Sequence, residues 1–289
     1  MASVRAAIAP SLLAAAICFA ASAAAAQAVD TLRIGLVVPA ALDTASEAAR
    51  AVDGVRFGVE EADRSARLFG RAVVLVEDGD AEPLVEDGRV QAIVGGVDGE
   101  GCERAMETAS RRGVVFVNVG CAGDALRGAG CARDAFHVAA SERMMADARK
   151  AAGAEGEVLL WHPSLSRFGA EQLMDRYRAR FGRAMTSPAW AGWFAAKALS
   201  EAALRARSAD PARLIAYLER DDTRIDGHKG RPLSFRAWDH QLRQPLYLAA
   251  PGRDEVTEVP GAAGDETSSR DLLDTLGATA AETACRFGS

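Results

Sequence analysis

The 289-residue chain carries 34 Lys and Arg against 40 Asp and Glu, a formal net charge of −6. A mildly acidic chain lacks the concentrated basic face that nucleic acid requires. Its 49% hydrophobic content is ample for a folded core, as one large domain or two smaller lobes.

Residues 1–28 read as a signal peptide. Arg5 gives a positive start, Ala6–Ala21 is apolar apart from Pro10 and Ser11, and Ala23–Ala28 is rich in small residues. Cleavage fits after Ala26 or after Ala28. The apolar run falls short of the about 20 residues a spanning helix needs, and Ile17 stands before Cys18 where a lipoprotein would carry a small residue. Removing this leader takes away Arg5 and no acid, so the charge moves to −7, and the product is expected in the periplasm.

Thr31–Pro39 is an apolar run of the buried parallel-strand type, followed by helical periodicity over Ala45–Arg67. Arg71–Val76, Val90–Val94 and Val114–Val119 give three further strands, with a helix through Ala105 and Ala109 between the last two. The order predicts a doubly wound parallel sheet. Asp78–Arg89 is barely long enough for a crossover, and Pro83 with its neighbouring glycines predicts no full helix there. Asp78, Asp80 and Glu82 read as a solvated turn, since Pro83 stands where a calcium loop needs Gly. From Ser141 the pattern turns mostly helical. Ser141–Ala152, Phe168–Phe181, Ser187–Arg205 and Asp210–Arg220 read as helices, with Ser141, Ser187 and Asp210 as caps, around a lone strand Glu157–Trp161. Leu233–Phe235 and Pro245–Ala249 flank a turn at Trp238–His240, and Pro260–Ser269 reads as a linker before a weak helix Arg270–Cys285.

Four cysteines remain after cleavage, and an oxidising compartment predicts two disulfides with three possible connectivities. The expected pairing is Cys121 with Cys131, across a Gly-rich loop that closes readily, leaving Cys102 for Cys285; free buried thiols are the alternative. No pair has the C-x-x-C spacing of redox or zinc sites.

LRIGLVVP, AVDGVRFGVEEA, VQAIVGG and GVVFVNVG in the first half, then RFGAEQLMDRYRARFGR, PAWAGWFAAKALSEAALRA and the G-x-x-G segment at 227–230, resemble a type I periplasmic binding protein of the branched-chain amino-acid ABC-transporter kind. WAGWFAAKAL with GHKGRPLSFRAWDHQLRQPLYL is similar, more narrowly, to binding proteins associated with pyrroloquinoline-quinone-dependent alcohol oxidation systems. The resemblance implies lobe 1 at 29–138, a shortened and mostly helical lobe 2 at 139–232, a closing hairpin at 233–259, and a linker and tail at 260–289. Roughly a hundred residues of second-lobe βα units are absent relative to that pattern.

Ligands of open α/β sheets bind at strand carboxyl ends, where helix amino ends offer free N–H groups. Two Gly-rich loops hold such positions: Asp98, Gly99, Glu100 and Gly101 after the third strand, and Asn118, Gly120 and Asp124 after the fourth. In the resembling family these loops supply hydroxyls and amides to an amino-acid carboxylate. Here Asp98 and Glu100 would repel a carboxylate, which points to a cationic or neutral ligand or to none; the same acids also suit a helix start through its dipole. Trp161 and His162, ending the lone strand, could cover a ligand from across a cleft, or serve as a core aromatic beside a surface imidazole. Most of His228, Lys229, Arg231, Arg236 and Arg243 read as a solvated basic face or as partners of Asp226 and Asp239. No hydrolase, phosphate-loop or metal-ligating motif is present, so the chain reads as a binding protein without cofactor. The expected function is solute binding between two lobes for an ABC-type permease. The alternative is an accessory or sensor protein meeting a periplasmic quinoprotein dehydrogenase.

Overall fold

A computed structural model describes residues 31–261 and 266–287. The leader expected at 1–28 lies outside the described residues. Strands β1 (Thr31–Val37), β2 (Ala72–Asp78), β3 (Ala92–Gly95), β4 (Val115–Asn118) and β5 (Ala135–His137) form one parallel sheet in the order β2-β1-β3-β4-β5. This is the doubly wound sheet that the sequence predicts. Alternate residues serve opposite faces, as the two-residue period of a strand dictates. Ala92, Val94, Val115 and Val117 face the larger core, while Ile93 and Phe116 face the smaller one. Order reverses at β1, between its crossovers to β2 and to β3, the position where such sheets leave a crevice at their carboxyl edge.

Helix α1 (Glu47–Arg67) starts at Ser46, whose hydroxyl accepts from Ala49 N. It covers one face of the sheet. On the other face lie α2 (Ala81–Glu86) and α3 (Cys102–Arg112). The sequence predicts no full helix near Pro83, and the structure forms a short one of six residues. Asp80 caps it by accepting from Ala81 N, and Pro83 falls in the first turn, where its missing amide has no intrahelical partner to lose. Of the acids read as a solvated turn, Asp80 is therefore a cap, and Glu82 pairs with Arg111 and Arg112.

After β5, α4 (Glu142–Ala152) is capped by Ser141 as expected, with Ser141 Oγ accepting from Met144 N. Then come β6 (Glu157–Leu159), α5 (Ala170–Phe181), α6 (Ser187–Ala206) and α7 (Pro211–Leu218), the last capped by Asp210. The cap position of α6 belongs to Thr186. Ser187 instead donates to Trp161 O and accepts from Leu160 N and Trp161 N, tying the end of β6 to this helix.

Helices α1 and α6 meet backbone to backbone. A Cβ at Gly54 would lie 2.0 Å from the Ala189 carbonyl oxygen, and one at Gly192 would lie 2.3 Å from that of Ala51. Only residues without a side chain permit that approach. The seam places Trp190 and Phe194 against the first sheet's core, and Trp190 stacks on Trp161 with ring planes 8° apart.

The chain then runs through β7 (Ile225–Asp226), β8 (Pro232–Phe235), β9 (Leu242–Arg243), β10 (Leu246–Ala249) and β11 (Thr257–Val259), ending in α8 (Glu266–Leu273). Strands β7-β8-β9 form one small antiparallel sheet and β11-β10-β6 another, the latter covered by α4. The terminal helix expected over Arg270–Cys285 is thus shorter and earlier; residues 274–287 are irregular.

Two expectations fail here. The disulfides are Cys102–Cys121 and Cys131–Cys285, not the expected pairs. Ease of loop closure does not decide pairing: Cys102 begins α3 beside the exit of β4, whereas Cys131 faces the tail. The basic run is also not a solvated face. Lys229, Arg231, Arg236 and Arg243 are all buried, and His240 with them; His228 is partly covered. Lys229 Nζ donates to Gln244 Oε1 and Pro245 O and sits 3.8 Å above the Trp190 ring, and burial pushes its ammonium well below the usual lysine value. Arg236 Nε and Arg243 Nε both donate to Asp274 Oδ1, while Arg236 Nη2 donates to the carbonyls of Leu273 and Leu276. Arg127, brought down to about 10 by burial, donates to Gln241 Oε1 and to the carbonyls of Cys121, Gly123 and Ala139.

Gly54→Ala is expected to lower stability by about 1–3 kcal/mol, because α1 and α6 must separate to admit the methyl group; urea unfolding measures it, and an unchanged midpoint would contradict the seam. A second expectation concerns acid. Burial raises the Glu219 carboxyl, but the His240 imidazole 3.3 Å away and the hydrogen bonds from Arg133 outweigh it and hold the group at about 2, below the ordinary 4.5. A depressed carboxyl stabilises the fold above the unfolded value and loses that contribution as pH falls toward the folded one. Glu219→Gln should therefore destabilise at pH 7 and much less at pH 3. Equal losses at both pH values would count against the assignment.

Candidate functional site

The carboxyl ends of β1, β2 and β3 open into a pocket of about 250 Å³ at the strand-order reversal. Its whole lining comes from residues 37–105: the exit of β1 at Val37–Ala40, the turn after β2 at Gly79–Ala81, and the loop from Gly96 into α3. Asp98, Glu100 and Gly101 from the expected site lie in this lining, together with Asp80, Arg104 and Ala105. Asp98 Oδ1 accepts from Glu100 N, folding the loop back on itself. Gly101 caps α3 with φ +71° and supplies no side-chain cap, so the first amides of an eleven-residue helix are left to the loop side. Arg104 is the third residue of that helix and is exposed. The pocket thus combines donors from Arg104 and the helix start with acceptors from Asp98 and Glu100.

The floor beside this pocket is rigid. The Cys102–Cys121 disulfide joins the start of α3 to the loop after β4, and a Cβ on Gly96 would collide with both sulfurs, at 2.4 and 2.8 Å. Gly96, at φ +76°, lets the backbone pass over the disulfide. A Cβ on Gly120 would come within 2.1 Å of Gly96 O, so the two Gly-rich loops lie against each other.

The other expected site residues serve elsewhere. Gly99, at φ +81°, donates to Gly96 O and shapes the loop without lining the pocket. Asn118 is fully buried. Its Oδ1 accepts from Gly120 N and Cys121 N, and its Nδ2 donates to Cys121 O and faces His137 Nδ1 at 3.1 Å. It holds the β4 exit loop in shape and lies behind Gly96 without lining the pocket itself. Asp124 accepts from Arg143 N and lines a different pocket. Trp161 is in the core against Trp190, and His162 is bonded to Ser164. The structure does not bring Trp161 or His162 to the sheet's carboxyl edge.

Reading the strand ends alone missed Arg104 and the Gly79–Ala81 turn. The turn follows β2 directly, and the same carboxyl-end rule that selected Asp98 applies to it. Arg104 had the signal of standing one turn inside a helix whose amino end faces the pocket. Among the described residues, no group of three or more His, Cys, Asp or Glu side chains is placed to hold a metal ion, and no helix is long and apolar enough to cross a membrane.

The sequence matches the family model described as periplasmic binding protein over residues 148–254, from the end of α4 to just past β10. No curated protein matches the sequence. Solved structures share the fold. A periplasmic binding protein from Burkholderia mallei superposes with a TM-score of 0.70 at 13% identity, over 90% of this chain and 100% of that one. A branched-chain amino acid ABC transporter periplasmic ligand-binding protein from Burkholderia xenovorans LB400 gives 0.66 at 12% identity, over 89% and 99%. An ABC-transporter solute-binding protein from R. palustris, in complex with benzoate, gives 0.61 at 15% identity, over 82% and 98%. The architecture is that of periplasmic binding proteins. None of these relatives is described as part of an alcohol oxidation system.

Asn118→Ala is expected to cost about 1–3 kcal/mol, since it leaves the amides of Gly120 and Cys121 without their acceptor while the Cys121 carbonyl keeps Arg127. Denaturant unfolding reads this directly; a loss below about 0.5 kcal/mol would mean that the loop does not depend on that side chain.

Proposed function

We propose that this protein is an exported solute-binding protein that holds a small polar organic ligand non-covalently and delivers it to an ABC-type permease. The observation that carries the reading is the pocket of about 250 Å³ at the carboxyl ends of β1, β2 and β3, lined by Asp98, Glu100 and Arg104. The family match over 148–254 and the shared fold support it, because two of the similar structures are described as ligand- or solute-binding proteins of ABC transporters. Fold alone does not transfer function, so the pocket's own chemistry has to choose the ligand.

That chemistry favours a neutral or cationic molecule with hydrogen-bond donors for the two carboxylates and an acceptor for Arg104 or the α3 amides. The ligand rests on one wall, built entirely from residues 37–105. Affinity therefore comes from a preformed surface rather than from enclosure between lobes, and moderate affinity follows. The reading involves binding, release and presentation, with no covalent step. Leader removal and a periplasmic location belong to the same proposal.

Calorimetric and thermal-shift titration with amino acids, amines, short alcohols and carboxylic acids tests it. One saturable ligand is expected. Asp98→Asn should change the affinity for that ligand by about 3–30-fold, the effect of removing a charged hydrogen-bond partner. Its stability should change little, because an Asn oxygen can still accept from Glu100 N. Unchanged affinity would remove Asp98 from the site, and a blank across the whole panel would overturn the solute-binding reading.

A further inference from the structure

Four large apolar residues are exposed among the described residues, and two of them are neighbours: Leu68 at 82% and Phe69 at 64%. They form the turn between α1 and β2, at the amino edge of the first sheet, where Thr31 pairs with Ala72 and the chain enters β1. The turn is firmly held. Leu68 N donates to Ser65 O, Phe69 N and Arg71 N to Ala66 O, and Gly70 N to Arg67 O; Arg71 Nη1 donates to Ala203 O near the end of α6. A Cβ on Gly70 would meet nothing within 4 Å, so the turn stands clear of the rest of the fold. Two adjacent apolar side chains are thus held outward in water, and covering them removes apolar surface without reordering the backbone.

The surroundings of this tip are basic. Helices α1 and α6 run side by side in the same direction, Gly54 meeting Ala189 and Gly58 meeting Trp193, so they end together. Arg64 and Arg67 stand in the last turn of α1, Arg205 in the last turn of α6, and Arg207 at the cap of α6; all four are exposed. With Arg71 they outnumber the acids Glu61, Asp63 and Asp210 at this end. Arg67 pairs with Asp63, and Arg64 lies 3.9 Å from Glu61. Arg205 and Arg207 have no ion pair among the described residues. Basic residues suit helix ends through the dipole. That accounts for the arginines and not for Leu68 and Phe69.

A projecting apolar tip ringed by arginines suits a lipid surface. The interface of a bilayer is fluid and admits a protrusion without a matching socket, and its phosphates lie where guanidinium groups beside the tip can reach them. We propose that this edge is a peripheral contact for anionic phospholipid, with Leu68 and Phe69 entering the bilayer interface and Arg64, Arg205 and Arg207 meeting the headgroup phosphates. Two inserted side chains and a few arginines give weak, salt-sensitive attachment. The ligand pocket lies at the opposite, carboxyl ends of the same strands, so lipid contact neither blocks it nor rests on the transport reading.

The experiment is vesicle co-sedimentation of the chain from residue 29, which holds every described residue and lacks the apolar leader that would itself bind lipid. Vesicles of phosphatidylglycerol with phosphatidylethanolamine are compared with vesicles of phosphatidylcholine at low salt. Binding to the first and not to the second is expected, and about 0.5 M sodium chloride should weaken it. Leu68→Ser combined with Phe69→Ser should weaken it at least about tenfold, and Arg205→Gln and Arg207→Gln about fivefold each. All four positions are exposed, so the melting temperature should hold. Phe69→Trp should show blue-shifted emission on the anionic vesicles, whereas Leu272→Ser, at an exposed apolar position on α8, should leave binding unchanged. Three results would overturn the proposal: no binding or equal binding on the two lipids, undiminished binding by the folded double-serine variant, or a dimer at the same concentrations that the serine substitutions dissolve, which would mean that a second copy covers the pair.

Discussion

Charge held out of water organises this molecule. The stretch from Lys229 to Gln244 carries side chains that would ordinarily stay solvated, and almost every one is buried. Each is accepted by backbone carbonyls or carboxylates from a different part of the chain: Leu273, Leu276 and Asp274 for Arg236, Pro245 for Lys229, and Glu258 and Pro260 for Arg231. Removing a buried charge's partner costs far more than the pair contributes over an apolar substitute, so such a set specifies one arrangement more than it adds stability. His137 N donates to His240 O, and Gln241 Nε2 donates to His137 O and Ala139 O. The same stretch therefore covers the outer edge of β5, continues into β8 and β9, and leads to β10. Three sheets and the chain after α8 meet on it.

The glycine seam between α1 and α6 plays the complementary part. It is apolar and close, and it brings residues 187–206 onto the first sheet although more than a hundred positions separate them from α1. The aromatic stack of Trp161, Trp190 and Phe194 fills the space that the seam leaves. Aromatic groups that a sequence suggests for ligand contact are here consumed by packing. The polar carboxyl edge of the sheet is left free of them.

Much of the fold was legible because its signals are local. The parallel strands are apolar on both faces, and Ser141 and Asp210 stand where a cap must stand. β5 was not legible: three residues carry no period. Neither was the burial of Arg236, because its acceptors lie near forty residues further on and nothing local announces them. Cysteine pairing failed for the same reason, being set by tertiary placement rather than by loop length. At the site, Asp98, Glu100 and Gly101 followed from the strand-end rule. Asn118 met the same rule but serves the loop, since its amide is matched on every side by backbone and His137.

The two disulfides differ in when they can form. Cys102 and Cys121 are separated by 19 positions, whereas Cys131 and Cys285 are separated by 154. In a chain that emerges from its amino end, the first pair can close as soon as the β3–β4 unit appears, before any competitor beyond Cys131 exists. Cys131 must then persist as a thiol while everything from β5 to α8 is made. Early closure of the first pair removes Cys121 from the nearby Cys131, a mispairing that the short Gly-rich loop between them invites. The connectivity thus rests on the β3–β4 unit holding Cys102 against Cys121, a placement that loop length alone would not select.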